Sequence, residues 1–188
     1  MKESIFAERF MLWQKENISL RAPEPEDVDF LYRMENDHKM WHLSNTLTPF
    51  SRFDLEQFIM QSDKDIFATR QARFIIEKEE DGNRKQAGAV DLFDFEPQHK
   101  RAGIGIMVME SERKQGIAGI ALDLIIEYSF NILGLHQLYC NIETDNEVSL
   151  RLFKKHGFET AGLKKEWNRK NERWVDEYML QLLNPAQV

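Results

Sequence analysis

Eight consecutive residues, Glu112-Arg113-Lys114-Gln115-Gly116-Ile117-Ala118-Gly119, constrain this chain more than any other stretch. An apolar run from Ile104 to Val108 precedes them and reads as a strand, and a helical pattern follows to about Leu133. A basic, glycine-bearing turn between a strand and a helix is a candidate phosphate cradle. Gly116 and Gly119 let the backbone come close to a ligand, and the unpaired N–H groups of a first helical turn point at an anion. Arg113 and Lys114 put positive charge there in a chain whose formal net charge is -7. That local inversion of sign suggests an anionic ligand. The spacing is neither the dinucleotide pattern Gly-x-Gly-x-x-Gly nor the nucleotide P-loop. It reads Arg113-x-x-Gly116-x-Ala118.

The surrounding pattern predicts a mixed fold. Phe10 to Trp13 and Ile18 to Ala22 read as an opening strand pair around Lys15-Glu16-Asn17. Pro23 to Glu26 leads into a helix carrying Val28, Phe30, Leu31 and Met34. Asp37 to Phe50 shows no clear period but holds His38, Trp41, His42, Ser44 and Asn45, side chains suited to substrate contact. Ser51 is a candidate cap for a helix with Phe53, Leu55, Phe58 and Ile59. Strands are expected at Ala72 to Glu77 and Ala87 to Phe95, about the turn Asp81-Gly82-Asn83. In the second of these, Val90 and Leu92 share one face, while Ala89, Asp91 and Phe93 share the other. Arg101 to Val108 is the strand before the loop. The loop helix places Ile117, Ile120, Ala121, Leu124, Ile125, Tyr128 and Ile132 at helical spacing, ended by Gly134. A buried strand Gln137 to Ile142, a helix Val148 to His156 stopped by Gly157, and strands Phe158 to Gly162 and Trp174 to Leu182 complete the order. Strands and helices mixed, with several hairpins, predict one α+β domain over residues 1–188 with a mostly antiparallel sheet.

Composition excludes several classes. Residues that are 42% hydrophobic and 30% charged describe a soluble globular protein of 188 residues, enough for one sizeable core. No apolar run approaches the roughly 18 residues that span a membrane. Met1 to Arg9 carries acidic residues and no apolar core, so a secretory signal is not expected. The single cysteine, Cys140, rules out an internal disulfide framework and fits a reducing cytoplasm. It lies in an apolar run, as a core thiol does. Five scattered histidines show no metal-ligand spacing, and the acidic balance argues against nucleic acid while being compatible with a cationic substrate.

Three segments turn the loop into a family resemblance. After the loop helix comes Tyr128-Ser129-Phe130, then Leu133-Gly134-Leu135-His136-Gln137-Leu138-Tyr139, then Asn146-x-x-Ser149-x-x-x-Phe153-x-x-x-Gly157-Phe158. With Arg113-x-x-Gly116-x-Ala118, their order and spacing resemble the GNAT superfamily of N-acetyltransferases from Ala87 to Leu183, and more loosely from Ile18 to Ser62. Two bacterial branches are most similar, one acting on spermidine and spermine, the other on the N-terminal amine of ribosomal proteins. The run Tyr128 to His136 leans to the first. The resemblance implies the acyl-CoA N-acyltransferase fold, with helices flanking a mixed sheet whose two central strands splay apart to take acetyl-CoA as co-substrate. It implies that Ile106, Met107 and Val108 hold the acetyl and pantetheine end. The amides of Arg113, Lys114, Gln115, Gly116, Ile117, Ala118 and Gly119 would hold the pyrophosphate, with Asn146, Ser149 and Phe153 along the other side of the arm.

Acetyl transfer to an amine needs no metal and no covalent enzyme intermediate. The ammonium, with a pKa of about 10.4, must lose a proton. The oxyanion needs a donor, for which a backbone N–H near Met107 or Val108 is placed. The departing thiolate takes a proton. Many members of the family carry a tyrosine where this chain has Phe153, which donates none. Ser149, one turn earlier, has a hydroxyl on the same helix face. Either it supplies the proton, or it only binds the cofactor, or the thiolate leaves unassisted, its thiol pKa being about 8.5. The resemblance offers Glu166 for the water-holding glutamate of the ribosomal-protein branch, and Asp91 and Asp94 for the ammonium-binding acids of the polyamine branch. Strand alternation puts at most one of that pair in the pocket. Glu143 ends the strand before Asn146, and Trp41 offers a cation–π face. Ser44-Asn45-Thr46 stands where the polyamine branch has adjacent glutamates. Three readings stay open: acetylation of a polyamine, acetylation of a peptide N-terminus, and a non-catalytic acyl-CoA-binding module. The aromatic segment Phe6 to Trp13 suits either a first strand or a contact between copies in a homo-oligomer.

Overall fold

The computed structural model describes residues 13–39, 41, 46–61, 65–170 and 172–187. Gln14–Lys15 (β1) and Ile18–Arg21 (β2) pair about Glu16-Asn17. Of the expected first strand, Phe10 to Trp13, the residues before Trp13 lie outside the described ones, and among those described the pairing starts at Gln14. Trp13 packs on Phe74 and Tyr128, with ring centroids 5.4 and 4.8 Å away.

A 3-10 turn, Pro25–Asp27, opens the helix Val28–Glu35 (α1). Asp27 is fully buried and fully bonded. Arg21 donates to both its oxygens at 2.6 and 2.8 Å, and the Glu24 N–H and the Gln86 amide add bonds of 2.8 and 3.1 Å. Burial alone would raise its pKa, but these bonds outweigh it and hold the carboxyl below its ordinary value. The group ties α1 to β2 and to the strand carrying Gln86. Ser51 caps the helix Arg52–Gln61 (α2), as its sequence predicts. The Asp54 N–H donates to Ser51 Oγ at 3.1 Å, and Asp54 Oδ2 accepts from the Ser51 N–H at 3.1 Å. One turn of helix, Ile66–Thr69 (α3), was not expected from the sequence.

The remaining strands are Ala72–Glu80 (β3), Asn83–Glu96 (β4), Arg101–Val108 (β5), Gln137–Glu143 (β6), Glu159–Lys170 (β7) and Arg173–Leu183 (β8). The helices Ile117–Asn131 (α4) and Glu147–Lys155 (α5) follow β5 and β6. The sheet runs β1-β2-β3-β4-β5-β6-β8-β7, and only β5 and β6 pair in parallel. This is the expected mixed, mostly antiparallel α+β arrangement. Val90, Leu92, Ile104, Leu138 and Cys140 face α4 and α5, closing a core with Leu124, Ile125, Phe153 and Phe158. Ala89 and Ile75 face the other way, under Phe30, Leu31 and Met34 of α1 and Leu55 and Ile59 of α2. The alternation read for β4 thus holds, with each face covered by its own helix pair. Among the described residues no helix is long and apolar enough to cross a membrane.

Candidate active site

The two parallel strands at the sheet centre pair only briefly. Arg101, Ala102 and Gly103 of β5 meet Gln137, Leu138 and Tyr139 of β6, and the ladder stops there. β5 continues to Val108 and β6 to Glu143 without pairing with each other, so one edge of Ile104–Val108 keeps ladder groups with no strand opposite. A cavity of about 140 Å³ fills the gap, lined by Gly105, Ile106, Asn141, Glu143, Asn146 and Ser149, among others. This is the splay that the sequence leads one to expect.

The loop after β5 opens the notch at one end. Gly116 sits at φ 80, a left-handed conformation, and a side chain there would meet nothing within 4 Å. Such a backbone favours glycine. The first turn of α4 follows directly, with its leading N–H groups outside the helix ladder. Gly119 and Ile120 donate to the Gly116 carbonyl at 3.0 and 3.2 Å. Arg113, Lys114 and Gln115 are exposed, and Arg113 Nε donates to the Val108 carbonyl at 3.0 Å, fixing the loop to the end of β5. A strand edge without a partner running into a glycine turn and a helix mouth fits a long acyl carrier that ends in phosphates.

A larger cavity, about 650 Å³, opens on the face away from α4. Ile104, Gly105, Ile106, Asn141 and Glu177 belong to the walls of both cavities. Its wider lining includes Phe50, Phe58, Phe93 and Trp167. Four carboxylates, Glu35, Asp54, Asp91 and Glu177, face two cations, Arg73 and Lys164. Arg73 forks onto Asp91 at 2.7 and 2.9 Å, bonds Glu35, and lies 5.2 Å from the Phe58 ring centre. Burial works against its charge, but the two carboxylates outweigh burial and raise its pKa. Lys164 donates to Glu177 at 2.8 Å and to Asn141 at 2.9 Å, with the Trp167 ring 4.9 Å away.

The structure brings many of the sequence candidates together and leaves others apart. Ile106 and Met107 line the larger cavity, and Ile106 also lines the notch. Val108 is buried in the core facing α4. Asn146 caps α5, its Oδ1 accepting from the Ser149 N–H at 3.2 Å, and both side chains line the notch. Phe153 is buried edge-on to Phe158, at 5.0 Å, with its rim at the notch. Glu143 lines the notch and binds Lys170 at 3.0 Å. Burial disfavours that ammonium, but Glu143 and Asp145 outweigh it and raise its pKa. Asp91 lines the larger cavity. Asp94 does not: a bulge between Phe93 and Glu96 gives it φ 48, and it accepts from the Tyr139 hydroxyl at 3.0 Å in a neighbouring open groove. Burial and that carboxylate push the phenol up to about 12. Glu166 stands exposed at a bulge in β7, at φ 46, its N–H donating to Asp176 at 2.8 Å. It lines neither cavity. Trp41 donates its indole N–H to the Glu35 carbonyl at 2.8 Å and is absent from the cavity lining. His42, Ser44 and Asn45 lie outside the described residues. The sequence reading missed Glu35, Arg73, Lys164 and Glu177. Their signal was charge within or beside apolar runs, which burial tolerates only when paired.

Known proteins share both the sequence pattern and the fold. The sequence profile of the GNAT acetyltransferase domain matches residues 17–159. Spermidine N(1)-acetyltransferase of Escherichia coli (strain K12) is 28% identical over 149 residues, 78% of this chain and 75% of its own. An uncharacterized N-acetyltransferase of Bacillus licheniformis, p20, is 29% identical over 170 residues, 89% of this chain and 93% of its own. The crystal structure of spermidine N-acetyltransferase from Vibrio cholerae in complex with CoA and spermine superposes with a TM-score of 0.81 at 24% identity, covering 90% of this chain and 96% of that one. At that identity the superposition speaks for the fold.

Proposed function

The chain belongs to the GNAT acetyltransferase family, and within it we propose that this protein moves acetyl from acetyl-CoA to a primary amine of a polyamine. The observation that carries the choice of acceptor is the larger cavity, where four carboxylates stand against two cations. A wall with excess negative charge favours a multiply charged ammonium chain over a neutral or anionic substrate. The likeness in sequence to spermidine N(1)-acetyltransferases supports it.

When bound, acetyl-CoA supplies a thioester whose carbonyl carbon accepts the amine. The chain's own residues do the rest. The turn from Arg113 to Gly119 holds the pyrophosphate through backbone N–H groups and local positive charge. The edge of β5 at Ile106, Met107 and Val108 takes the pantetheine amides and offers an N–H for charge developing on the carbonyl oxygen. Asn146 shapes the notch by capping α5. Ser149 lies within the notch and gives the departing sulfur its proton, a role that Phe153 has no atom to fill. Asp91, held by Arg73, binds the amine chain from the β4 side.

Two wider readings complete the proposal. The protein is cytoplasmic: Cys140 is buried, and burial pushes its thiol up to about 12, a form at home in a reducing compartment. It assembles as a homo-oligomer, as the dodecameric spermidine N-acetyltransferase of similar fold does. Trp174 and Leu163 on the β7–β8 hairpin are exposed and available for such contacts. Thiol release from acetyl-CoA with spermidine, spermine, a peptide with a free N-terminus and a lysine peptide tests the activity. Release with polyamines supports it. Release with a peptide alone moves the acceptor to a protein terminus. Tight acetyl-CoA binding without release from any amine leaves a binding module.

A further inference from the structure

Whatever amine this site takes must lose a proton before its nitrogen can attack, and the group that receives it must stand where amine and thioester meet. That place is the wall common to both cavities: Ile104, Gly105, Ile106, Asn141 and Glu177. Glu177 is the one carboxylate of that wall among the described residues. Asp91, Glu35 and Asp54 line only the larger cavity, and Glu143 only the notch. We propose that Glu177 is the catalytic carboxylate that takes the proton of the acceptor ammonium, a reading that rests on acetyl transfer being the activity.

The geometry around Glu177 suits the task. It sits on β8 opposite Glu143 of β6 and Lys164 of β7, buried to 7% exposure. Oε1 accepts from Lys164 at 2.8 Å and Oε2 from Asn168 at 3.0 Å. Each oxygen therefore holds one bond, is fixed in direction, and keeps a further lone pair. The facing charges are otherwise engaged: Glu143 with Lys170, Asp91 with Arg73. Lys164 supports the carboxylate and is itself backed by Asn141 and the Trp167 ring. The step balances. One ammonium proton passes to a Glu177 oxygen, freeing the nitrogen lone pair. The N–C bond forms, the C–S bond breaks and its electron pair leaves on sulfur. Ser149 gives its hydroxyl proton to that sulfur and is restored by the second nitrogen proton, and Glu177 returns its own proton to water.

The test compares native protein with Glu177→Gln, which keeps the shape and an oxygen to accept from Lys164 but cannot take the proton. Thiol release is followed from pH 7 to 10 with spermidine, spermine and a free peptide N-terminus, and CoA binding is measured by calorimetry. The expected result is a fall in kcat of about 100-fold at pH 7. CoA affinity should stay within threefold, and the deficit should shrink as pH approaches about 10.4, where solution supplies neutral amine. A kcat within threefold of native overturns the proposal, as does a loss that stays constant across the pH range. If Glu177→Gln does not fold, Glu177→Asp serves. Its carboxylate, set back by one methylene, should lose at least tenfold in kcat at pH 7 with CoA binding intact, and native-like kcat overturns the proposal. Silence of the native protein towards every amine contradicts acetyl transfer, and this assignment with it. An active native protein with an active Glu177→Gln contradicts this assignment alone.

Discussion

Phe93 lies over Gly103 so closely that a Cβ on Gly103 would fall 2.2 Å from the ring. The contact sits where β5 and β6 pair for the last time, and the Phe93 ring is also edge-on to Tyr139, at 6.0 Å between centres. The splay that makes the notch thus starts under a packed aromatic.

Gly103→Ala should force the ring or the strand to move. A stability loss of about 2 kcal/mol is expected from overpacking, measured by urea unfolding. Weaker CoA binding should accompany it, because the start of the notch shifts. Gly105 makes the control: a Cβ there would stand 3.8 Å from Phe93, an ordinary contact, so Gly105→Ala should fold as native.

Arg73 holds two carboxylates at the wall of the larger cavity. Arg73→Met leaves Glu35 and Asp91 without their cation, and Glu35 is buried. A destabilisation of about 3 kcal/mol is expected in chemical denaturation. Polyamine affinity should also change, since Asp91 loses its anchor.

Asp27 gives the fold a dependence on acid. Its carboxyl titrates lower in the folded chain than the ordinary 3.8, so the unfolded chain takes up the proton first as pH falls. The stability it contributes is present above pH 3.8 and lost as pH drops through the folded value. Asp27→Asn should cost about 2 kcal/mol at pH 7 and flatten that loss, measured as unfolding midpoints between pH 3 and 7.

Ser149→Ala separates two roles for the hydroxyl. As donor to the leaving sulfur, its loss should lower kcat about 100-fold with CoA affinity unchanged. As a binding contact alone, its loss would raise the CoA Kd and leave kcat in place.

The sequence was most legible where one face of an element is apolar and the other is not. α1 and the loop helix showed their periods through buried positions such as Phe30, Leu31 and Met34, or Leu124 and Ile125, while α2 was read with its Ser51 cap and β5 as an apolar run. β4 was read from Ala87 but begins at Asn83, because Arg84 and Lys85 extend the hairpin beyond the core with both faces exposed. β7 was read as five residues and has twelve: it is a polar edge strand whose alternation is broken by the bulge at Glu166. The notch was legible through local motifs, the glycine turn and Asn146 to Phe153. Of the charged groups in the acceptor wall only Asp91 was legible; Glu35, Arg73, Lys164 and Glu177 were not, because with Asp91 they come from five elements that only the fold brings together. Strand alternation kept Asp94 away from the cavity that Asp91 lines, and the bulge, which alternation does not show, turns it towards Tyr139.

One measurement reaches the activity itself: acetyl-CoA-dependent thiol release by the purified protein at pH 7.5 to 9, with spermidine and spermine beside a free peptide N-terminus and a lysine peptide. Polyamine acetylation predicts release with spermidine and spermine that far exceeds release with either peptide, and acetylated polyamine in the product. Release confined to a peptide, or none from any amine despite tight acetyl-CoA binding, would contradict it.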